Sequence, residues 1–116
     1  MKYDPEAERA AREWLALADA GDTSGSWSAA ASLFREAVSE PQWVHALTIA
    51  RGPLGAVQER TLQAAHPATE LPGAPDGEYV VFEFQTRFER KRAAIETVSP
   101  MRDRDGQWRV SGYYIR

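Results

Sequence analysis

Glu96 stands inside an apolar strand pattern, Ala93-Ala94-Ile95-Glu96-Thr97-Val98, where a charge needs a partner. Such a carboxyl has two uses. In an apolar pocket its pKa rises and it can act as a general base, as in lyase- or isomerase-like chemistry. Paired with Arg51, Arg109 or Arg87 it is a structural ion pair. The sequence leaves both readings open. The other candidates assemble less. His45 and His66 are the only histidines, and neither belongs to a His-x-x-x-His or His-Glu-x-x-His arrangement, so no metal site is expected. Ser24-Gly25-Ser26 and Ser111-Gly112 lack the strand-turn-helix setting of a nucleophile elbow. No phosphate loop or dinucleotide fingerprint is present, and no cofactor is expected. The absence of cysteine excludes disulfides, thiolate ligands and a thiol nucleophile.

The elements that must position these residues fall into two halves, helices over about 4–52 and sheet over about 55–116. Asp4 suits an N-cap and Pro5 a first helical position, after which Ala7, Ala10, Ala11, Trp14 and Ala18 recur at helical spacing until Gly21. Asp19 and Asp22 read as turn formers, and Ser24 and Ser26 as caps of a second helix carrying Trp27, Ala30, Ala31, Phe34 and Val38. Ser39 and Gln42 fit a capping box for a third helix with Trp43, Ala46, Leu47 and Ala50, stopped by Gly52-Pro53. From Gly55 the period becomes alternating. Gly55 to Ala65 reads as an edge strand, because Gln58-Glu59-Arg60 is polar. Tyr79 to Phe88 places Val80, Phe82, Phe84, Thr86 and Phe88 on one face. Ala93 to Arg102 and Trp108 to Ile115 follow, turning at Asp105-Gly106. Short connections make these strands an antiparallel meander. The expected fold is therefore α+β, with three N-terminal helices packed on a curved four-stranded sheet in one domain over 1–116.

The aromatic residues follow from that layout. Trp14, Trp27 and Trp43 sit on helical apolar stripes, and Trp108 shares a strand face with Val110 and Tyr114, which suits a core. Together with Phe82, Phe84 and Glu96, they are also the residues available to line a pocket between helices and sheet. Simple alternation puts Tyr79, Val81, Tyr113 and Ile115 on the opposite face, which is then too apolar to stand exposed. A covering partner is expected there, with a symmetry-related copy favoured.

The chain has 116 residues, 43% of them hydrophobic, which suffices for one core. A net charge of −3 argues against a nucleic-acid backbone as partner. No apolar run of bilayer length occurs, and the N-terminus Met-Lys-Tyr-Asp-Pro-Glu has no secretory apolar core, so the cytoplasm is the expected location unless a signal peptide has been removed.

Several ordered blocks carry a family resemblance: Asp19-Ala20-Gly21-Asp22, Ser26-Trp27, Gln42-Trp43, Arg51-Gly52-Pro53-Leu54-Gly55, the stretch Leu71-Pro72-Gly73-Ala74-Pro75-Asp76-Gly77-Glu78-Tyr79-Val80-Val81, Glu96-Thr97-Val98 and Gln107-Trp108-Arg109-Val110-Ser111-Gly112-Tyr113-Tyr114-Ile115. With this spacing the chain resembles the bacterial domain-of-unknown-function family 4019. The resemblance implies a cone of the cystatin-like or nuclear-transport-factor-two-like kind and assigns no activity. Members often look exported, which implies a periplasmic or secreted location if a signal peptide has been removed. With no assembled catalytic set, the expected function is a noncatalytic binding domain for a small apolar ligand or a protein partner, forming a homodimer. The alternatives are an adaptor or immunity-type protein and a lyase- or isomerase-like enzyme using Glu96.

Overall fold

Helix α1, Pro5–Asp19, begins where Asp4 accepts a hydrogen bond from the Glu6 N–H at 2.9 Å, with Pro5 in the first turn. Its buried stripe is Ala7, Ala11, Trp14, Leu15 and Ala18. The small alanines let the backbone lie close to the sheet, and Trp14 fills the wider gap. The computed structural model describes residues 3–116; Met1 and Lys2 of the N-terminal stretch lie outside them.

The single second helix expected from Trp27 to Val38 is instead two short ones, α2 Thr23–Ser28 and α3 Ser32–Ala37. Asp22, not Ser24 or Ser26, caps α2 by accepting from the Gly25 N–H at 2.9 Å. A Cβ on Gly25 would meet that carboxylate at 2.2 Å, so a larger residue there would make the Asp22 side chain shift. The break between the helices is made by the sheet. Ala31 N–H donates to Val110 O at 2.8 Å, and the Ser32 N–H and hydroxyl donate to Asp103 at 3.0 and 2.5 Å. Asp103 thus caps α3 from 71 residues away, a device helical periodicity alone does not reveal.

Burial alone would raise the Asp103 carboxyl. The Ser32 hydroxyl and N–H, the Arg104 N–H and the Arg109 guanidinium overcome that and hold it well below the usual carboxylate range. A carboxyl lowered on folding contributes stability above its unfolded pKa, and that contribution is lost as pH falls through the folded value. Asp103→Asn should therefore cost about 2 kcal/mol at neutral pH, with the gap to the unsubstituted protein shrinking below about pH 4. Urea midpoints measured across that range check this; a gap that stays constant into strong acid would contradict it.

Helix α4, Glu40–Arg51, opens with the capping box expected from sequence, Ser39 with Gln42. A 3-10 turn η1, Gly52–Leu54, follows it. Gly55, with φ of 78°, then redirects the chain into the sheet.

The strands are β1 Val57–Ala68, β2 Tyr79–Phe88, β3 Lys91–Arg102 and β4 Trp108–Ile115, antiparallel in the order β1-β2-β3-β4. The molecule is α+β with an open sheet, and β1 is an edge strand as its polar composition implied. Phe82, Phe84 and Val98 face α1 and Leu47 in the core. Full burial of each such side chain contributes about 1.5–3 kcal/mol.

A bulge in β4 changes which residues face the helices. Val98 pairs with Tyr113 and Pro100 with Val110, so Ser99 of β3 stands opposite two residues of β4, Ser111 and Gly112. Ser111 Oγ fixes the bulge by donating to Ser99 O at 2.7 Å. Because side chains alternate, the extra residue shifts the phase: Tyr113 and Ile115 join Val110 on the helix side, and Tyr114 turns outward, 60% exposed. The sequence-based placement of these residues is thereby reversed.

Candidate functional site

Beyond the bulge, the helix-facing side of the sheet carries a polar cluster. Glu96 is completely buried, and its partner is Arg60, none of the three arginines named from sequence. Arg60 Nε donates to Oε1 at 2.8 Å and Nη2 to Oε2 at 3.2 Å. Thr86 Oγ1 donates to Oε1 at 2.6 Å, and the Tyr113 hydroxyl donates to Oε2. Both carboxylate oxygens are therefore doubly engaged by groups of the fold itself. Burial and the neighbouring Glu96 charge push the Tyr113 phenol well above its ordinary range, so it stays a donor at neutral pH.

Asp19 closes the cluster from the end of α1. It accepts from Arg60 Nη1 and Nη2 at 2.8 and 3.0 Å and from Arg51 Nη2 at 2.9 Å. Burial opposes its charge, and the two guanidinium groups overcome that and lower its pKa. Asp19 is thus an ion-pair partner and not only a turn former. Arg51 Nε and Nη1 are buried without hydrogen-bond partners among the described residues, and the guanidinium lies 5.0 Å from the Phe88 ring centroid. The cation–π contact offsets part of that cost. Of the other arginines weighed for Glu96, Arg109 pairs with Asp103 and Asp105, and Arg87 with Glu59.

The tryptophans are tied into the fold through their indole N–H groups. Trp14 donates to Ser26 O at 2.9 Å, Trp43 to Ser26 Oγ at 3.0 Å, Trp27 to Val38 O at 2.7 Å and Trp108 to Asp4 Oδ2 at 3.2 Å. Ser26 is therefore a buried junction between two rings and not a helix cap. Trp14 also packs on Tyr113 at 4.9 Å, and Phe34 on Trp43 at 4.9 Å. The gap among Trp14, Phe34, Trp43 and Tyr113 has no room for a water molecule.

Tyr79 is 2% exposed, with its hydroxyl donating to Pro75 O of the β1–β2 loop at 2.6 Å. The chain's own loop covers it. Of the expected interface set, Val81 remains partly exposed on the outer face.

Open apolar space lies elsewhere. A groove of about 470 Å3 runs between α4 and β4, lined chiefly by Trp43, Ala46, Leu47, Ala50, Tyr113 and Ile115. Lys91 and Arg116 stand on its wall. Sequence reasoning missed it because Tyr113 and Ile115 reach this side only through the bulge. His45 and His66 are exposed on α4 and β1, and among the described residues no three His, Asp or Glu side chains are grouped to hold a metal ion. Nor is any described helix long and apolar enough to cross a membrane.

These features define a class: an α+β domain of helices on an open antiparallel sheet, with a buried ion-pair cluster and an apolar groove at one sheet edge. Over residues 10–113 the sequence matches the family described as protein of unknown function, DUF4019, and the chain belongs to that family. A search of curated proteins finds no match.

Proposed function

We propose that the protein is a noncatalytic binding domain, one unit over the whole chain, with the α4–β4 groove as its recognition surface. Helices laid on a curved meander support a cone of the cystatin-like or nuclear-transport-factor-two-like kind. The interior of that cone is filled by Trp14, Phe82, Phe84 and the Glu96 cluster, so its ligand surface lies at the rim. Two clefts beside Trp108 are of similar size, about 430 and 450 Å3, so the observation that carries the reading is the largely apolar lining of the α4–β4 groove, at a volume of about 470 Å3 within the range of small-ligand sites. The acidic net charge points away from nucleic acid.

Ala46 is exposed and lines the groove, so Ala46→Trp fills the space without disturbing the core. Anilinonaphthalene sulfonate, an apolar anion whose fluorescence rises on binding, should bind the folded protein, and Ala46→Trp should weaken that binding about tenfold, the equivalent of about 1.4 kcal/mol. Equal affinity in both proteins would remove the groove from the account.

A further inference from the structure

The wall of the groove is an unpaired strand edge. Among the described residues β4 is hydrogen bonded to β3 on one side only. Ile95 and Arg116 exchange both backbone bonds, at 3.0 and 3.1 Å. Antiparallel alternation then turns the N–H and C=O of Ile115, and those of Tyr113, away from β3 toward the groove side. Farther along β4, Val110 O is already taken by the Ala31 N–H. The free edge therefore runs from the bulge to the end of the strand, with α4 standing across from it. An edge next to a helix, with apolar space between, can accept an added strand: backbone groups pair with the edge, and alternate side chains enter the groove. No proline blocks this end of β4.

Charge narrows the occupant. The charged side chains on the groove wall, Lys91 and Arg116, are both cationic. A second copy offers no complement to them, because its own edge brings the same cationic wall, Lys91 and Arg116, and no carboxylate side chain to it. A segment carrying carboxylates meets opposite charge there. Resting on the binding role given above, we infer that the groove takes an extended, acidic and apolar peptide segment of a partner protein. It adds as a strand to β4, with apolar side chains against Trp43, Ala46 and Ala50 and a carboxylate against Lys91 and Arg116.

A displayed library of random linear peptides, selected on the folded protein and depleted on Ala46→Trp, tests this. Enriched sequences should alternate apolar residues and carry Asp or Glu. A synthetic peptide of the enriched sequence should slow hydrogen exchange at the Tyr113 and Ile115 amides about tenfold, and Lys91→Glu should weaken its binding by a similar factor. Absence of enrichment, or bound peptides that leave those two amides unchanged, overturns strand addition. If anilinonaphthalene sulfonate still binds and is lost in Ala46→Trp, the groove remains a binding site and only the peptide assignment falls. If neither dye nor peptide binds, both fall.

Discussion

Replacing Arg60 with alanine should lower the unfolding free energy by about 3–5 kcal/mol, because it strands the buried Glu96 carboxylate without its counter-charge. Glu96 is fully buried, Arg60 supplies two of its hydrogen bonds, and the same guanidinium holds Asp19 at the end of α1. One substitution therefore loosens both the sheet's polar cluster and its junction with a helix. The paired change Arg60→Met with Glu96→Leu should be far milder, since removing both partners leaves no stranded charge. Urea denaturation of the single and paired variants measures the difference. Tyr113→Phe, which removes one neutral donor, should cost less, about 1–3 kcal/mol. If Arg60→Ala unfolds within about 1 kcal/mol of the unsubstituted protein, the cluster behaves like a solvated surface pair and not a buried one.

Trp14→Ala should cost a similar amount, about 3–5 kcal/mol, through lost burial and the cavity left behind. The ring is 3% exposed, donates to Ser26 O and packs on Trp43 and Tyr113. A tryptophan serving as a ligand cage would be costly to binding and cheap to stability; this one is expected to be the reverse. Trp14→Phe should recover much of the packing while leaving Ser26 O without its donor. Thermal unfolding of the two variants, read beside dye binding in the α4–β4 groove, separates structural from recognition roles.

What was legible in the sequence was local. Asp4 and the Ser39–Gln42 box are caps because their partners lie two or three residues away, and the alternation of Val80, Phe82, Phe84 and Thr86 gives β2 its buried face. What was not legible depends on residues distant in the chain. Asp103 caps α3 across the fold, so an apolar stripe from Trp27 to Val38 looked like one helix. Arg60 shares a strand face with Leu62, which was a usable hint, but its contact with Glu96 depends on the register of β1 on β2, and β1 has irregularities near Gln58 and Gln63. The β4 bulge had the faintest signal, Ser111-Gly112 in a strand. Missing it exchanged the faces of Tyr113, Tyr114 and Ile115, and with them the location of the candidate site. Glu96 was correctly marked as a residue needing a cation.

The central claim, that recognition occurs in the rim groove and not in the filled interior, is most directly tested by amide chemical-shift mapping of the labelled protein titrated with anilinonaphthalene sulfonate. Saturable shifts are expected centred on Trp43, Ala46, Ala50 and Ile115, with Glu96 and Thr86 unmoved. Shifts centred on Glu96 and Thr86, with the groove silent, would contradict it.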